Sequence, residues 1–314
     1  MPLFYHTGAL GDFLLALPFL RAVRALRLEG PWTLVAQEEP AKLVRRIFPA
    51  RRAAPGLLEW APLSRGGADP EELAAFLARH GPVFAFAREA EAIEEAARRA
   101  APGAPVVLSE PFARTTALGE EIEDTLARAI AKVSLLSIAG PSRRPQAAAP
   151  RPRLEDFAIA PEELPPAPSP ELLGLGRGAP PLALLHIGAS AREKMPPADL
   201  LAEAARALLA RGFRAAWVRG PVEAERRIAP PADPPLPLAD APDIVLLAHL
   251  IARAALYVGA DTGPTHLAAQ LGVPTIAIHA RPNLLWRPRG PRARVVSPSD
   301  LLSALPGGPG SRPR

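Results

Sequence analysis

The chain has 314 residues, 48% of them apolar, and it contains no cysteine. This length and apolar content can fill two cores, and the lack of cysteine excludes disulfides, thiolate metal sites and a thiol nucleophile. The formal charge is +5, with 16 basic and 17 acidic residues in 1–140 but 21 and 15 in 141–314. The basic second half favours anionic partners, yet basic residues seldom alternate with aromatic ones, so we expect no nucleic-acid binding.

The first half of the chain alternates between predicted strands and helices. The strands are predicted at Leu3–Tyr5, Thr33–Ala36, Val83–Phe86 and Val106–Leu108, and the helices at Phe13–Arg27, Ala41–Ile47, Glu71–Arg79 and Glu89–Arg99. Such alternation is typical of a parallel sheet covered by helices on both faces. Pro18 lies inside the first predicted helix, and we expect one helix with a kink there.

A proline-rich segment separates this half from the next. Pro141–Pro180 has ten prolines in forty residues, a density that excludes long helices and central strands. We therefore predict an N-terminal domain at 1–160 and a C-terminal domain at 161–314.

The strand and helix alternation resumes after this segment. Strands are predicted at Leu182–Ile187, Ala215–Val218, Leu256–Val258 and Thr275–Ile278, and helices at Ala198–Arg211, Asp243–Arg253, Thr265–Leu271 and Ser299–Leu305, before a loose tail. The fold class predicted from the whole pattern is α/β, with two domains of the nucleotide-binding type.

Two polar, glycine-containing loops each follow a predicted strand and precede a predicted helix. They are Gly8–Asp12 and Gly259–His266. In the second loop, Pro264 suits a first helical position, Thr262 and Asp261 are suitable caps, and the first-turn amides would be free to bind an anion. This pattern favours a diphosphate ligand.

The residues around both loops resemble a known family. The stretch GALGDFLLALPFLRAVR at 8–24 and the stretch DTGPTHLAAQLGVPT at 261–275 are similar to the two hallmark motifs of glycosyltransferase family 9, the heptosyltransferase-like enzymes. The resemblance implies a GT-B fold, in which two Rossmann-like domains face each other across a cleft. The first domain would hold the acceptor and the second the nucleotide-sugar donor.

Asp12 is the candidate catalytic residue. The matching aspartate of the family is the general base that accepts the proton of the attacking hydroxyl, and a carboxylate is ionised at neutral pH as that role requires. Gly8 and Gly11 would shape the loop backbone around it. The alternative is that Asp12 only caps the first helix, where the helix dipole favours a negative charge.

The resemblance also implies a set of donor-binding residues in the second domain. They are Ser190, Lys194, Glu223, Asp261, Thr262, Gly263 and His266. Lys194 would stabilise the charge that develops on the leaving nucleotide diphosphate. Gly263 would let backbone amides approach phosphate. Asp261 would receive sugar hydroxyls or hold the amides of its loop, because a carboxylate repels a diphosphate.

Simpler interpretations of these donor residues stay open. Lys194 can be a solvated loop lysine, and Arg192 can replace it if the motif register is shifted. His266 can be a packed helical residue. Glu223 can be a solvated glutamate in the first turn of a helix, which is the more common case.

The chain departs from the family pattern at three places. His6 stands where an arginine is common, and Met195-Pro196 lacks the tryptophan that usually follows the lysine. His279–Pro288, with Arg281, replaces the usual acidic segment after the last core strand. The third departure lies near the expected donor site and leaves donor identity and activity open.

The function expected from the resemblance is inverting, metal-independent transfer of a sugar, such as a heptose from an ADP-heptose-like donor, to a lipid-linked or glycan acceptor. No cofactor is expected, since the nucleotide-sugar is a substrate, and scattered histidines indicate no metal site. A nucleotide-sugar epimerase and a non-catalytic nucleotide-sugar-binding protein are the alternatives. We expect a cytoplasmic protein that can contact the inner face of the membrane, because the N-terminal apolar run is too short to span a bilayer.

Overall fold

The structure is a computed structural model that describes residues 1–64, 69–138, 150–167, 180–189, 191–280 and 284–308. The chain divides into two compact units, Met1–Asp156 and Phe157–Arg314. Much of the proline-rich segment and the end of the C-terminal tail lie outside the described residues. None of the described helices combines the length and the apolar character needed to cross a membrane.

Unit 1 is built on a parallel sheet. Its strands are β1 Leu3–His6, β2 Thr33–Ala36, β3 Arg51–Ala53, β4 Val83–Phe86 and β5 Val106–Ser109. They pair in the order β3-β2-β1-β4-β5, with Tyr5 opposite Val35 on one side and Ala85 on the other. The helices are α1 Leu10–Leu15, α2 Leu17–Ala25, α3 Glu38–Leu43, α4 Ala61–Ser64, α5 Pro70–His80, α6 Ala90–Ala100, α7 Phe112–Ala117 and α8 Ile122–Ile138.

Unit 2 is built on a second parallel sheet. Its strands are β6 Leu182–His186, β7 Arg214–Arg219, β8 Leu238–Asp240, β9 Leu256–Ala260, β10 Thr275–Ile278 and β11 Ala293–Val296. They pair in the order β11-β10-β9-β6-β7-β8. The helices are α9 Ala198–Ala210, α10 Pro221–Glu225, α11 Ile244–Ala252, α12 Gly263–Gln270 and α13 Leu301–Ala304.

Both strand orders are those of Rossmann-like sheets. The chain starts in the middle of each sheet, moves to one edge, and returns to the other side of the first strand. The order therefore reverses between β1 and β4 in unit 1 and between β6 and β9 in unit 2. In open α/β sheets, ligands bind beyond the carboxyl ends of the strands at such a reversal.

The predicted single helix Phe13–Arg27 is wrong, because the structure has two helices there. α1 ends at Leu15, Ala16 forms the junction, and α2 begins at Leu17. Pro18 lies in the first turn of α2, where the missing N–H of proline would have no partner within the helix. The proline therefore starts a helix instead of bending one.

Further elements were not predicted, among them the strands β3 and β8 and the helix α8. β3 and β8 are three-residue strands at sheet edges, and both arginines of β3 are exposed. They lack the apolar run by which the central strands were recognised. The long helix α8 buries Ile122, Leu126, Ala129 and Val133, a spacing that fits a helix.

Helices cover both faces of the unit 1 sheet. On one face, Leu3 and Tyr5 pack with Phe76 and Ile93 of α5 and α6. On the other face the core is aromatic, and the ring of Phe19 contacts those of Phe4 and Phe86. The alternation of side chains along each strand supplies both faces.

An ion pair between the partly exposed Lys132 and the mostly buried Glu94 ties α8 to the sheet of unit 1. Lys132 Nζ lies 2.8 Å from both carboxylate oxygens of Glu94 and donates to the Leu108 carbonyl at 3.0 Å. Glu94 Oε1 also accepts the Leu108 N–H at 2.6 Å. The pair therefore joins α6, α8 and β5.

We expect Lys132→Met to lower the free energy of unfolding by about 1–3 kcal/mol, because it leaves the Glu94 carboxylate poorly compensated. Urea unfolding measures the loss. Lys42→Met is the matched control, since Lys42 pairs with the partly exposed Glu38 and Glu39 and should cost less than about 1 kcal/mol. Equal losses in the two variants would contradict this interpretation.

Candidate functional site

Asp12 lies at a cavity at the carboxyl end of the unit 1 sheet. The cavity has a volume of about 240 Å³. Its lining comes from the loop after β1, the ends of β4 and β5 and from α4, and includes Gly8, Asp12, Leu63, Arg88 and Pro111. The predicted catalytic residue therefore lies beside the reversal point of this sheet, where a Rossmann-like fold binds ligands.

Gly8 allows the loop to pass close to two side chains. A Cβ atom at this position would lie 2.7 Å from His6 Cε1 and 2.8 Å from Asp12 Cβ, closer than van der Waals contact allows. The Gly8 N–H donates to His6 Nδ1 at 3.2 Å. Glycine is thus required for His6 and Asp12 to approach the same turn. Gly11 lies in the first turn of α1.

The helix-cap interpretation of Asp12 does not fit the helix bounds. The N-cap of α1 is Ala9, and Asp12 is the third residue of the helix. The helix dipole still favours its negative charge at this position. The carboxylate is partly exposed beside the cavity, so it can reach a bound hydroxyl.

In unit 2 the structure brings Lys194 and Asp261 together. Lys194 ends a short 3-10 helix after β6, and Asp261 follows the last residue of β9. Lys194 Nζ donates to Asp261 Oδ2 at 2.9 Å. The two residues are separated by 67 positions in the sequence. Because β6 and β9 flank the reversal point of the unit 2 sheet, this ion pair occupies the expected ligand position.

Two buried histidines face the other oxygen of this carboxylate. His266 Nε2 and His279 Nε2 each lie 3.9 Å from Asp261 Oδ1, within ion-pair reach but too far for a hydrogen bond. His279 follows β10 and is 3% exposed. Within the part of the chain that the structure describes, neither of its ring nitrogens has a hydrogen-bond partner.

The surroundings of Asp261 strongly favour its charged form. Burial alone would raise its pKa, but His266, Lys194 and His279 together hold the pKa of this carboxyl well below its usual range. Burial has the opposite consequence for His279, whose pKa is lowered despite the attraction of Asp261. At neutral pH, Asp261 is therefore an anion and His279 is neutral.

The first turn of α12 is less open to an anion than the sequence suggested. Thr262 is the N-cap residue, but its side chain makes no cap hydrogen bond. The N–H groups of Thr265 and His266 both donate to the Thr262 carbonyl at 3.1 Å. The helix begins at Gly263, and Pro264 is its second residue. Among the first-turn amides that the sequence predicted to be free, this arrangement leaves the N–H of Gly263 for a ligand.

Glu223 is buried, so its interpretation as a solvated first-turn glutamate is wrong. It is 4% exposed, and its Oε2 lies 3.3 Å from His186 Nε2 and accepts the Gly220 N–H at 3.2 Å. A Cβ atom at Gly188 would lie 2.0 Å from Glu223 Cγ. Although burial would raise the pKa of Glu223, His186 and the backbone donors lower it. Glu223 therefore lies at the carboxyl end of β6, on the same sheet edge as Asp261.

Three of the residues singled out in the sequence cannot be placed with their side chains. Ser190 and Arg281 lie outside the described residues, and the structure describes no side chain for Arg192. Conversely, His186 lies beside Glu223 and His279 beside Asp261, but neither histidine was predicted as a site residue. Each histidine ends or directly follows a strand, at the carboxyl end of the sheet where ligands bind. This position in the sequence was the signal by which they could have been predicted. In the described ranges, no three acidic or histidine side chains converge to hold a metal ion.

Comparison with known proteins shows similarity to one family and to one fold. The model of glycosyltransferase family 9 (heptosyltransferase) matches residues 154–302. No curated protein sequence matches the chain. The family match confirms the predicted resemblance.

Solved structures match nearly the whole chain at low sequence identity. A glycosyl transferase family 9 protein from Veillonella parvula has a TM-score of 0.58 at 17% identity, over 95% of this chain and 86% of its own. E. coli ADP-heptose lps heptosyltransferase II has a TM-score of 0.57 at 16% identity, over 96% of both chains. E. coli heptosyltransferase WaaC with ADP has a TM-score of 0.57 at 19% identity, over 97% of this chain and 96% of its own. These matches confirm the α/β, GT-B fold class with two Rossmann-like domains.

We expect the free energy of unfolding to fall by up to about 3 kcal/mol between pH 6.5 and pH 4 through His6 alone. Burial lowers the pKa of His6 to about 4, and its ring packs edge-on against Phe13 and Phe86. In this range the unfolded chain binds the proton that the folded chain excludes, so acid favours unfolding. Urea unfolding at both pH values should show a smaller loss for His6→Asn, whose side-chain oxygen can still accept the Gly8 N–H. The same pH dependence in both proteins would contradict this assignment.

Proposed function

We propose that the chain transfers a sugar from a nucleotide-diphosphate donor to an acceptor hydroxyl. The proposal follows from the match of residues 154–302 to the model of glycosyltransferase family 9. The transfer inverts the anomeric centre and uses no metal ion. The donor is ADP-heptose-like, since the matched E. coli structures are named for ADP-heptose or contain ADP. The acceptor is a lipid-linked sugar or a glycan.

The main support for a donor site in unit 2 is the cluster of Lys194, Asp261 and His266. An ammonium 2.9 Å from one oxygen of a carboxylate and an imidazole 3.9 Å from the other lie at the reversal point of the unit 2 sheet. Gly263 adds a backbone N–H at the start of α12. A cation and an amide beside one strand end suit a diphosphate.

Asp12 is the proposed general base. Its carboxylate accepts the proton of the acceptor hydroxyl while the oxygen of that hydroxyl forms the new bond to the anomeric carbon. The bond from this carbon to the phosphate oxygen breaks, and the nucleoside diphosphate leaves with the electron pair. A single displacement of this kind inverts the anomeric configuration, and a positioned base contributes about 10²–10⁴-fold to the rate.

Lys194 is the proposed stabiliser of the leaving group. Negative charge grows on the bridging phosphate oxygen as the sugar departs, so a fixed ammonium there stabilises the transition state more than the ground state. Glu223 is proposed to bind ribose hydroxyls, although His186 and Gly220 already hold one of its oxygens.

An exposed apolar pair in unit 1 supports peripheral contact with an anionic membrane. Leu57 is 53% exposed and Leu58 is 79% exposed, in the loop between β3 and α4. The exposed Arg51 and Arg52 of β3 precede this loop, and Leu63 of α4 lines the Asp12 cavity. Exposed leucines in a loop that follows two exposed arginines suit the interface of an anionic bilayer, from which a lipid-linked acceptor would be reached.

We expect Asp12→Asn to reduce sugar transfer by about 10²–10⁴-fold and to leave the affinity for ADP unchanged, since Asp12 belongs to unit 1. Release of ADP from ADP-heptose with an acceptor measures the transfer, and calorimetry measures the affinity. Asp199→Asn is the control, because Asp199 is an exposed first-turn aspartate of α9. Full activity of Asp12→Asn would disprove the assigned base.

We expect the double variant Leu57→Ser and Leu58→Ser to bind vesicles that contain phosphatidylglycerol at least about tenfold more weakly than the parent protein, because burial of two leucines in the bilayer contributes a few kcal/mol. Sedimentation with vesicles measures the binding, which should also weaken in high salt. Leu118→Ser is the matched control, as Leu118 is 74% exposed in the same unit. An equal loss in the control, or binding to neutral vesicles alone, would refute this surface.

A further inference from the structure

We propose that His279 is a positioning residue that takes up a proton when the donor diphosphate binds and thereby replaces Lys194 as the cation that balances Asp261. This inference rests on the proposed function and adds a residue and a proton to it. The proton comes from solvent and forms an N–H bond on the imidazole. Lys194 keeps its three protons and changes partner from a carboxylate to phosphate oxygens.

The Lys194 ammonium cannot balance the Asp261 carboxylate and a bound diphosphate fully at the same time. In the ligand-free protein its ammonium is 2.9 Å from Asp261 Oδ2, and the Lys194 side chain is exposed enough to turn towards a ligand. A diphosphate brings more negative charge to the same sheet edge. When Lys194 moves to the phosphate oxygens, the mostly buried Asp261 carboxylate loses its hydrogen-bonded cation, and an uncompensated buried charge is strongly unfavourable.

The side chain that can become the replacement cation already lies beside Asp261. His279 Nε2 lies 3.9 Å from Oδ1, and both ring nitrogens of this 3%-exposed side chain lack a partner within the described residues. A buried imidazole with two unused nitrogens needs an explanation. Protonation would convert both nitrogens into donors, one aimed at Asp261.

The charges around His279 favour proton uptake once the ligand is bound. The charged or titratable groups that face it are Asp261 after β9, His266 of α12 and Lys194 after β6. Burial, His266 and Lys194 lower the pKa of His279, whereas Asp261 raises it. Departure of Lys194 removes one of the lowering influences, and the incoming phosphate adds attraction for a proton. Both changes raise the pKa of His279.

His266 also faces the Asp261 carboxylate, but its place in a helix is less suitable for a positive charge. Its Nε2 is also 3.9 Å from Asp261 Oδ1, and it lies in the first turn of α12. A cation at a helix N-terminus is opposed by the helix dipole, whereas His279 follows a strand and meets no such opposition. The helix dipole therefore favours His279 over His266 as the cation that balances Asp261.

The test is calorimetric titration of the full chain with ADP at pH 8.0, in several buffers with different ionisation enthalpies. At this pH the terminal phosphate of ADP, whose pKa is about 6, is deprotonated. The parent protein should take up a proton as ADP binds. Its affinity should accordingly weaken by up to about tenfold per pH unit above neutrality.

His279→Asn should bind ADP with no proton uptake and with a flatter pH dependence. His249→Asn is the matched control, because His249 lies in the same unit and its Nε2 contacts the Pro165 carbonyl instead of Asp261. It should take up the same number of protons as the parent protein. A purely structural role for His279 would weaken binding equally at every pH.

The outcomes separate this inference from the proposed function. If ADP binds the parent protein without proton uptake, the role of His279 is wrong and the donor site stands. If ADP fails to bind at all, both proposals fail. Should His279→Asn unfold, the proton count of the parent protein and the same titration of His279→Gln still decide the question.

Discussion

A mostly buried carboxylate requires nearby positive charge, and in unit 2 that requirement organises the whole strand-end cluster around Asp261. Lys194 meets it directly at 2.9 Å, while His266 and His279 lie 3.9 Å from the other oxygen. The loops after β6, β9 and β10 are thereby held around one anion. An anionic ligand bound at this place would compete with Asp261 for the Lys194 ammonium, so its binding would rearrange the cluster.

The two units have a similar arrangement of residues at the carboxyl end of their first strand. Their first strands end in His6 and His186, and each histidine is followed two residues later by a glycine. In each case a Cβ atom on that glycine, Gly8 or Gly188, would collide with an acidic residue of the following structure. The shared geometry places a buried imidazole and a carboxyl group close to each reversal point, although the surrounding sequences differ.

The sequence predicted the central strands well because they are buried runs of apolar residues, and β2, β4 and β10 have the predicted bounds. The edge strands β3 and β8 were not predicted because they bury little. Glu223 was misjudged because its burial depends on His186, a tertiary partner 37 positions away. The Lys194 and Asp261 contact follows from strand order, which motif spacing does not encode, and the same holds for the proximity of His279.

The scarcity of lysine has a practical consequence. The chain contains three lysines against 34 arginines, and the structure pairs each lysine with a carboxylate. Methyl groups enriched in ¹³C can be attached to amines without removing their charge. Such labelling would give a spectrum with few side-chain signals, in which position 194 reports the state of the Asp261 cluster in the intact protein.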